Sequence, residues 1–290
     1  MIKNNIRKIV RWSVSAREQE TVADALRRHQ VNSYSKFDHV KYDAGDVAKA
    51  LRQIGITPGD TVMVHSQWRS FYGFQGGSPE LLIQLLLESV RGGGTLLMPS
   101  HGYDKNFFDV RNTPSSMGVV SEVFRKMDGV KRACIPHFSV ATVGCSSDEY
   151  LSMCPVCHYG FDEYSPYSLM SEAGGKVLLL GMGKHTPKIS AFHIAAYRRS
   201  KEDSVYGSAF VDGTCHVIDR EGKESLVAVL RKAPGVRNDN AAFRRVFKLV
   251  PKRTAHLGKL TLTAFNCSDA VEVCYQEICK GALMYKGLEL

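Results

Sequence analysis

The residue types that could carry chemistry gather in the stretch Gly175 to Arg199, GKVLLLGMGKHTPKISAFHIAAYRR. Its apolar run, Val177 to Leu180, reads as a strand buried on both faces. The glycines of Gly181-Met182-Gly183 lack a Cβ, so the chain can bend sharply there and a ligand can approach closely. A short helical pattern, Ser190 to Arg199, follows with one histidine, His193, in its first turn. A histidine just beyond the carboxyl end of a strand stands where open α/β sheets place their ligands. A half-buried histidine that closes a helix shows the same pattern, and on this stretch alone that plainer reading is the better one.

Two further places could hold an anion. The strand that starts at Thr61 ends in His65-Ser66-Gln67-Trp68-Arg69, and a loop then reaches Gly76-Gly77-Ser78-Pro79-Glu80. A helix starting there offers free backbone N–H groups and its positive dipole end to phosphate oxygens, although Gly-Gly-Ser-Pro is also an ordinary helix start. The second place is Asp109 followed by Thr113-Pro114-Ser115-Ser116-Met117-Gly118, with Arg125 about two turns into the next helix. Two glycine-marked helix starts with nearby arginines suit an extended anionic cofactor better than a compact one.

Other motifs lead nowhere. Cys154-Pro155-Val156-Cys157-His158 has the spacing of covalent haem attachment, but that chemistry belongs to exported proteins and no export signal is visible. Cys274 and Cys279 are too far off, at the wrong spacing, to complete a zinc set with the first pair. Gly181 and Gly183 do not extend to a dinucleotide fingerprint, since Thr186 stands where the third glycine belongs. No phosphate loop and no serine nucleophile elbow is present.

The elements that must position these residues alternate. Asp46 to Ile54 is helical, Thr57 to Asp60 a turn, Thr61 to His65 a strand and Pro79 to Arg91 a Leu-rich helix capped by Ser78. Gly94 to Pro99 and Ser139 to Val143 read as strands, with a helix over Met117 to Met127 between them. Later, Val205 to Phe210 and Thr214 to Ile218 flank Asp212-Gly213 like a hairpin. Gly258 to Phe265 reads as one more strand, and Ser268-Asp269 caps a last helix running to about Met284. Such alternation gives an α/β sandwich around a largely parallel or mixed sheet.

Residues 1–43 read as a basic helical extension, and residues 44–290 as one main domain. In the extension, Ile2, Ile6, Ile9, Val10 and Val14 recur at helical spacing among Lys3, Arg7, Lys8 and Arg11, a pattern that suits weak contact of residues 1–15 with an anionic membrane surface. Packing of that helix on the main domain or on a partner subunit fits the same pattern and is favoured over membrane contact. No apolar run spans a bilayer, and the expected location is cytoplasmic, in keeping with eight cysteines held reduced. A net charge of +9 favours anionic partners, yet no nucleic-acid module is recognisable and no specific nucleic-acid partner is expected.

The order of motifs is the most specific signal. His65-Ser66 at a strand end, Gly76-Gly77 at a helix start, GTLLMPS at 94–100 and Asp109 with TPSSMG at 113–118 come first. The stretch Arg132 to Gly144, YSPY at 164–167 and GGKVLLLGMG with His193 follow. This order resembles the aminoglycoside 3-N-acetyltransferase family, also called the antibiotic N-acetyltransferases, well over Asp46 to Arg199 and loosely beyond. The resemblance implies a three-layer α/β sandwich with a central mixed β-sheet. It also implies transfer of an acyl group from acetyl-CoA or another acyl-CoA to an amine on a sugar or aminocyclitol, without a metal. By position His193 matches the family's catalytic histidine, and an imidazole with a reference pKa of about 6.5 suits a base that must deprotonate an amine. His65, Ser66, Gln67 and Arg69 resemble the region around the pantetheine arm. Gly76, Gly77, Met117 and Gly118 match CoA-contacting turns, with Arg69 and Arg125 as phosphate partners. Asp109 matches an acidic position near the acceptor pocket, and a homodimer is an expected assembly.

Two departures stand out. The family pattern after the histidine is H-x-x-E, where a glutamate one helical turn on orients the imidazole, but here the sequence is His193-Ile194-Ala195-Ala196. Asp162 or Glu163 is the expected substitute; otherwise the acceptor differs or activity is low. Drug-modifying members show His-Pro-x-His-Ser where this chain has Ile135-Pro136-His137-Phe138-Ser139, leaving His137 between the family positions as an acceptor-side candidate. A chain at +9 repels polycationic aminoglycosides, so a nucleotide-linked amino sugar of surface-polysaccharide synthesis is the better expected acceptor. The alternative is a CoA-binding or scaffold protein that has lost turnover.

Overall fold

A computed structural model describes residues 25, 26, 29, 39–182 and 189–289. The extension expected over residues 1–43 therefore lies almost wholly outside the described residues, as does Gly183. The fold starts at α1 (Ala44–Gln53), fixed by a reciprocal cap. The Asp43 carboxylate accepts from the Asp46 N–H at 3.0 Å, and the Asp46 carboxylate accepts from the Asp43 N–H at 3.1 Å. Capping thus starts the helix two residues before the hydrophobic spacing suggests.

There follow β1 (Thr61–Ser66), α2 (Pro79–Val90), β2 (Thr95–Pro99), β3 (Phe107–Asp109), α3 (Val119–Phe124), β4 (Lys131–Arg132) and β5 (Val140–Gly144). Next come α4 (Ser147–Ser152), α5 (Pro166–Glu172), β6 (Lys176–Leu180), α6 (Ala191–Ser200) and α7 (Ser204–Gly207). The chain ends through β7 (Phe210–Ile218), β8 (Glu224–Lys232), β9 (Arg237–Asn238), α8 (Asn240–Leu249), β10 (Arg253–Leu257), β11 (Leu260–Asn266), α9 (Cys267–Cys279) and β12 (Tyr285–Lys286).

Among the described residues seven strands form the central sheet, in the order β10-β11-β6-β1-β2-β5-β4. β1 runs parallel to β2 and to β6, whereas the outer strands pair antiparallel, so the sheet is mixed. Side chains of a strand point alternately to opposite faces, and the core divides on that rule. Met63, Leu97, Val177 and Leu179 pack with α5, α6, α8 and α9. Their neighbours Val62, Val64, Leu96, Leu178 and Leu180 pack with α1, α2 and α3 on the other side. Both faces are apolar, which is why these strands read as unbroken hydrophobic runs and why three layers result.

The later region departs from expectation. Asp212-Gly213 is no turn: β7 runs straight through it, with Gly213 opposite Val229 of β8. The reversal comes at 219–223, where the Asp219 carboxylate accepts from the N–H groups of Glu221 and Lys223 and Gly222 takes φ +89°. Val205, expected in a strand, lies in α7 instead, whose start is capped by Asp203. β7 and β8 join β3 in a separate three-stranded sheet, and β9 pairs with β12. These small sheets carry C-terminal residues back towards His193.

Candidate active site

The site has two parts, and the first lies where β1 and β6 end together, with Ser66 opposite Leu180. The Gln67 N–H donates to the Leu180 carbonyl at 2.9 Å, and the Ser70 hydroxyl donates to the Gly181 carbonyl at 2.8 Å. Gly181 needs to be glycine: its φ is +66°, and a Cβ would stand 2.5 Å from the Ser70 Cβ. His65 is buried and its Nε2 shares a 2.8 Å hydrogen bond with the Ser190 hydroxyl, just before α6. Strand β1 is thereby tied to the helix that carries His193.

The loops expected to meet CoA divide into open and committed groups. Arg69 projects from a short 3-10 turn, Trp68–Ser70, and is exposed. Gly76 and Gly118 take φ of +64° and +106° with open space where a Cβ would point, and Met117 is half-buried beside Gly118. Gly77 packs against the Phe74 ring, and Ser78 caps α2 by accepting from the Leu81 N–H at 3.1 Å. The aromatics of this loop serve packing: Tyr42 stacks on Phe74 and Trp68 on Phe71. Arg125 does not offer its guanidinium to a phosphate. Nε and Nη2 both donate to the Glu122 carboxylate at 2.7 Å, and Nη1 donates to the Arg111 carbonyl at 2.8 Å. Burial acts to raise the Glu122 pKa, but the hydrogen bonds from Arg125 and Lys126 override it and hold the carboxyl at about 2.

The acidic candidates are likewise committed. Asp109 folds its own loop, accepting from the N–H groups of Arg111 and Asn112 at 2.8 and 2.9 Å and from the Asn112 amide at 2.9 Å. Burial works against its ionisation, but those bonds prevail and hold its pKa below the usual value. The buried Asp162 accepts from the N–H groups of His158, Tyr159 and Tyr164 at 2.8, 3.0 and 3.1 Å and from the Cys157 thiol at 3.2 Å. Glu163 is exposed and pairs with Lys201 at 2.7 Å. The orienting role expected of Asp162 or Glu163 is therefore filled by neither. His137 hydrogen-bonds the Lys105 carbonyl at 2.8 Å, and burial lowers its pKa. The Cys154 and Cys157 thiols are packing groups pushed up in pKa by burial.

The second part is built around His193. Its ring lies among Phe161, Phe243, Tyr285 and Phe138, with centroids 5.0, 5.4, 5.8 and 6.3 Å away. Nδ1 is 2.8 Å from the Tyr285 hydroxyl, and the two rings are nearly parallel, 18° apart. The Lys232 ammonium sits over the Tyr285 ring, 4.0 Å from its centroid. Burial, and secondarily the Lys232 charge, push His193 well below the ordinary imidazole range. Among the described residues no carboxylate hydrogen-bonds to His193, and Ala196 is fully buried in the core. Phe138 holds φ +62°, a strained conformation for an aromatic residue, with its ring facing the cage. Phe138, Lys232 and Tyr285 carry no local sequence signal; only the departure at 135–139 marks the neighbourhood of the first.

His193 thus stands one turn after Ser190, which is tied to the end of β1, while the turns at Gly76 and Gly118 leave open space, within a three-layer α/β sandwich. The family model for aminoglycoside 3-N-acetyltransferase matches residues 63–278, and the chain belongs to that family. Aminoglycoside N(3)-acetyltransferase IV from Salmonella is 38% identical over 136 residues, covering 46% of this chain and 51% of that enzyme. The prophage-derived YokD of Bacillus subtilis, an aminoglycoside N(3')-acetyltransferase-like protein, is 28% identical over 52% of this chain and 64% of its own. The chain thus spans between half and two thirds of the length of these curated relatives. In structure it is similar to aminoglycoside acetyltransferase AAC(3)-IVa, with a TM-score of 0.68 at 25% identity over 86% of this chain and 95% of that one. A variant of that enzyme has also been solved with apramycin, at 26% identity, a TM-score of 0.67 and 84% and 95% coverage. The CoA complex of AAC-IIIb shares the fold, with a TM-score of 0.70 at 19% identity over 82% of this chain and 97% of that one. No helix among the described residues is long and apolar enough to cross a membrane.

Proposed function

We propose that the protein is an acyl-CoA-dependent N-acyltransferase acting on an amine of a sugar or aminocyclitol, with His193 as general base. The observation that carries this reading is the placement of His193: Nδ1 is engaged by Tyr285, which leaves Nε2 as the nitrogen available to a substrate. The amine attacks the thioester carbonyl carbon, and Nε2 takes the proton that the nitrogen must lose. The new C–N bond forms, the C–S bond breaks, and the leaving thiolate recovers the proton from the imidazolium. His65, Ser66, Gln67, Arg69, Gly76, Gly77, Met117 and Gly118 would line the path of CoA. The glycine turns leave room, and Arg69 is the exposed cation among them.

For the acceptor, the charge beside the base favours an anionic molecule, such as a nucleotide-linked amino sugar of surface-polysaccharide synthesis. Lys232 places a positive charge beside His193, which attracts an anion and repels a polycation. The test is thiol release from acetyl-CoA with separate panels of aminoglycosides and nucleotide-linked amino sugars, with His193→Ala alongside. Turnover with the second panel that falls on the order of 10²-fold or more in the variant is the expected result. Turnover with aminoglycosides alone would reverse the acceptor assignment. Tight CoA binding without turnover on either panel would favour the second reading, a CoA-binding scaffold, whose motivation is Ala196.

A further inference from the structure

Resting on that acyl-transfer reading, we infer that Tyr285 is the positioning residue of His193: its hydroxyl oxygen accepts the Nδ1 proton, so that Nε2 carries the basic lone pair. Tyr285 does so in place of the carboxylate that Ala196 cannot supply.

Three points support this assignment. First, the partner itself is rigid. Asn238 pairs with Tyr285 in the β9–β12 ladder, and the Asp239 N–H donates to the Met284 carbonyl at 2.9 Å. The Tyr206 hydroxyl accepts from the Met284 N–H at 2.9 Å and donates to the Ala282 carbonyl at 2.7 Å. The segment presenting Tyr285 is thus fixed on both sides, as a residue that sets another's orientation must be. Second, the near-parallel ring stack and the 2.8 Å bond together leave the imidazole little freedom to rotate. Third, the direction of that bond follows from the acyl-transfer reading: a base that acts through Nε2 carries its proton on Nδ1, which lies 2.8 Å from the Tyr285 oxygen. The Tyr285 phenol proton is then free for the neighbouring hydroxyl of the buried Tyr159, with which Tyr285 is electrostatically coupled.

Lys232 fits the same arrangement. It lies on the face of Tyr285 and hydrogen-bonds the Asn238 side chain, holding a positive charge beside the pair. An imidazole flanked by a neutral phenol and a cation is kept neutral and ready to accept a proton, where a carboxylate would favour the imidazolium.

The test is Tyr285→Phe, which keeps the ring and removes one oxygen. Long-range proton–nitrogen spectra of protein labelled with nitrogen-15 histidine report which ring nitrogen of His193 is protonated, with His193→Ala giving the assignment. The expected wild-type state is protonated at Nδ1, and Tyr285→Phe should convert it to a tautomer mixture. In the same variant kcat should fall on the order of 10²-fold, with the KM for acyl-CoA unchanged to within about twofold. A wild-type His193 protonated at Nε2 would overturn the inference, as would a variant with unaltered tautomer and kcat. The wild-type spectrum decides the matter even if Tyr285→Phe does not fold. The spectra need no turnover, so a protein inactive on every acceptor would sink the acyl-transfer reading while leaving the tautomer result standing.

Discussion

Two histidines stand at the carboxyl ends of the central strands, and each shares a 2.8 Å hydrogen bond with one hydroxyl. His65 meets Ser190, and His193 meets Tyr285. They differ in what holds them. His65 belongs to a strand flanked by parallel neighbours on both sides, with its partner at the start of the adjoining helix. His193 sits in a cage made by residues far apart in the chain, Phe138, Phe161, Lys232, Phe243 and Tyr285. The first arrangement ties a strand to a helix, and the second encloses a single ring.

Removing each histidine should separate these roles. His193→Ala is expected to cost 10²- to 10⁴-fold in kcat with only a small change in melting temperature. His65→Ala should instead leave the Ser190 hydroxyl unpaired, costing about 1–3 kcal/mol of stability, and raise the KM for acyl-CoA. Kinetics and thermal melting on the two variants check this together. Equal loss of kcat from both would erase the distinction between frame and reactive ring.

A smaller effect sharpens the second half of the comparison. The groups facing His193 are the neutral Tyr285 hydroxyl, the Lys232 ammonium and three phenylalanine rings, with Tyr159 behind Tyr285. Burial and Lys232 depress the imidazole, so its neutral, basic form persists below the usual pH 6.5. The acid limb of kcat should therefore lie below the ordinary histidine range. Burial also lowers Lys232 to about 8, so its influence fades above that pH. Lys232→Gln should move the acid limb upward, as a pH–rate profile would show; an unmoved limb would mean that the ammonium does not act on the ring. The same depression makes folding less stable as pH drops through 6.5, because the unfolded chain then binds a proton that the folded one refuses.

The contrast also explains what could be read from the chain. Period-2 faces and apolar runs marked the strands, because Val62, Val64, Leu178 and Leu180 obey local geometry. The glycine turns and the Ser78 cap were legible for the same reason: each depends on residues a few positions away, whereas His193 stood out only through the order of motifs along the chain. Tyr285 is 92 residues from His193 and Ser190 is 125 from His65, pairings with no period to reveal them. The misplaced hairpin teaches the same lesson. Asp212-Gly213 has good turn chemistry, but nine paired residues on each strand, together with β3, hold it extended. Long-range pairing outweighs local propensity there.

The weakest expected effect bears on the acidic residues beside the site. The sequence offered Glu163 as a substitute for the missing glutamate, a role that requires its charge to reach the imidazole. In the structure its carboxylate is drawn below the usual pKa chiefly by the hydrogen bond from Lys201, and both side chains are about half exposed. Exposed pairs of this kind are worth about 0–1 kcal/mol, since water screens the attraction and two long side chains must be held still. Glu163→Gln should therefore leave kcat, its pH profile and the melting temperature close to those of the parent. A kcat loss comparable to that of Tyr285→Phe would return the orienting role to a carboxylate. The near-silence expected of Glu163 thus measures how far the neutral phenol has taken over that work.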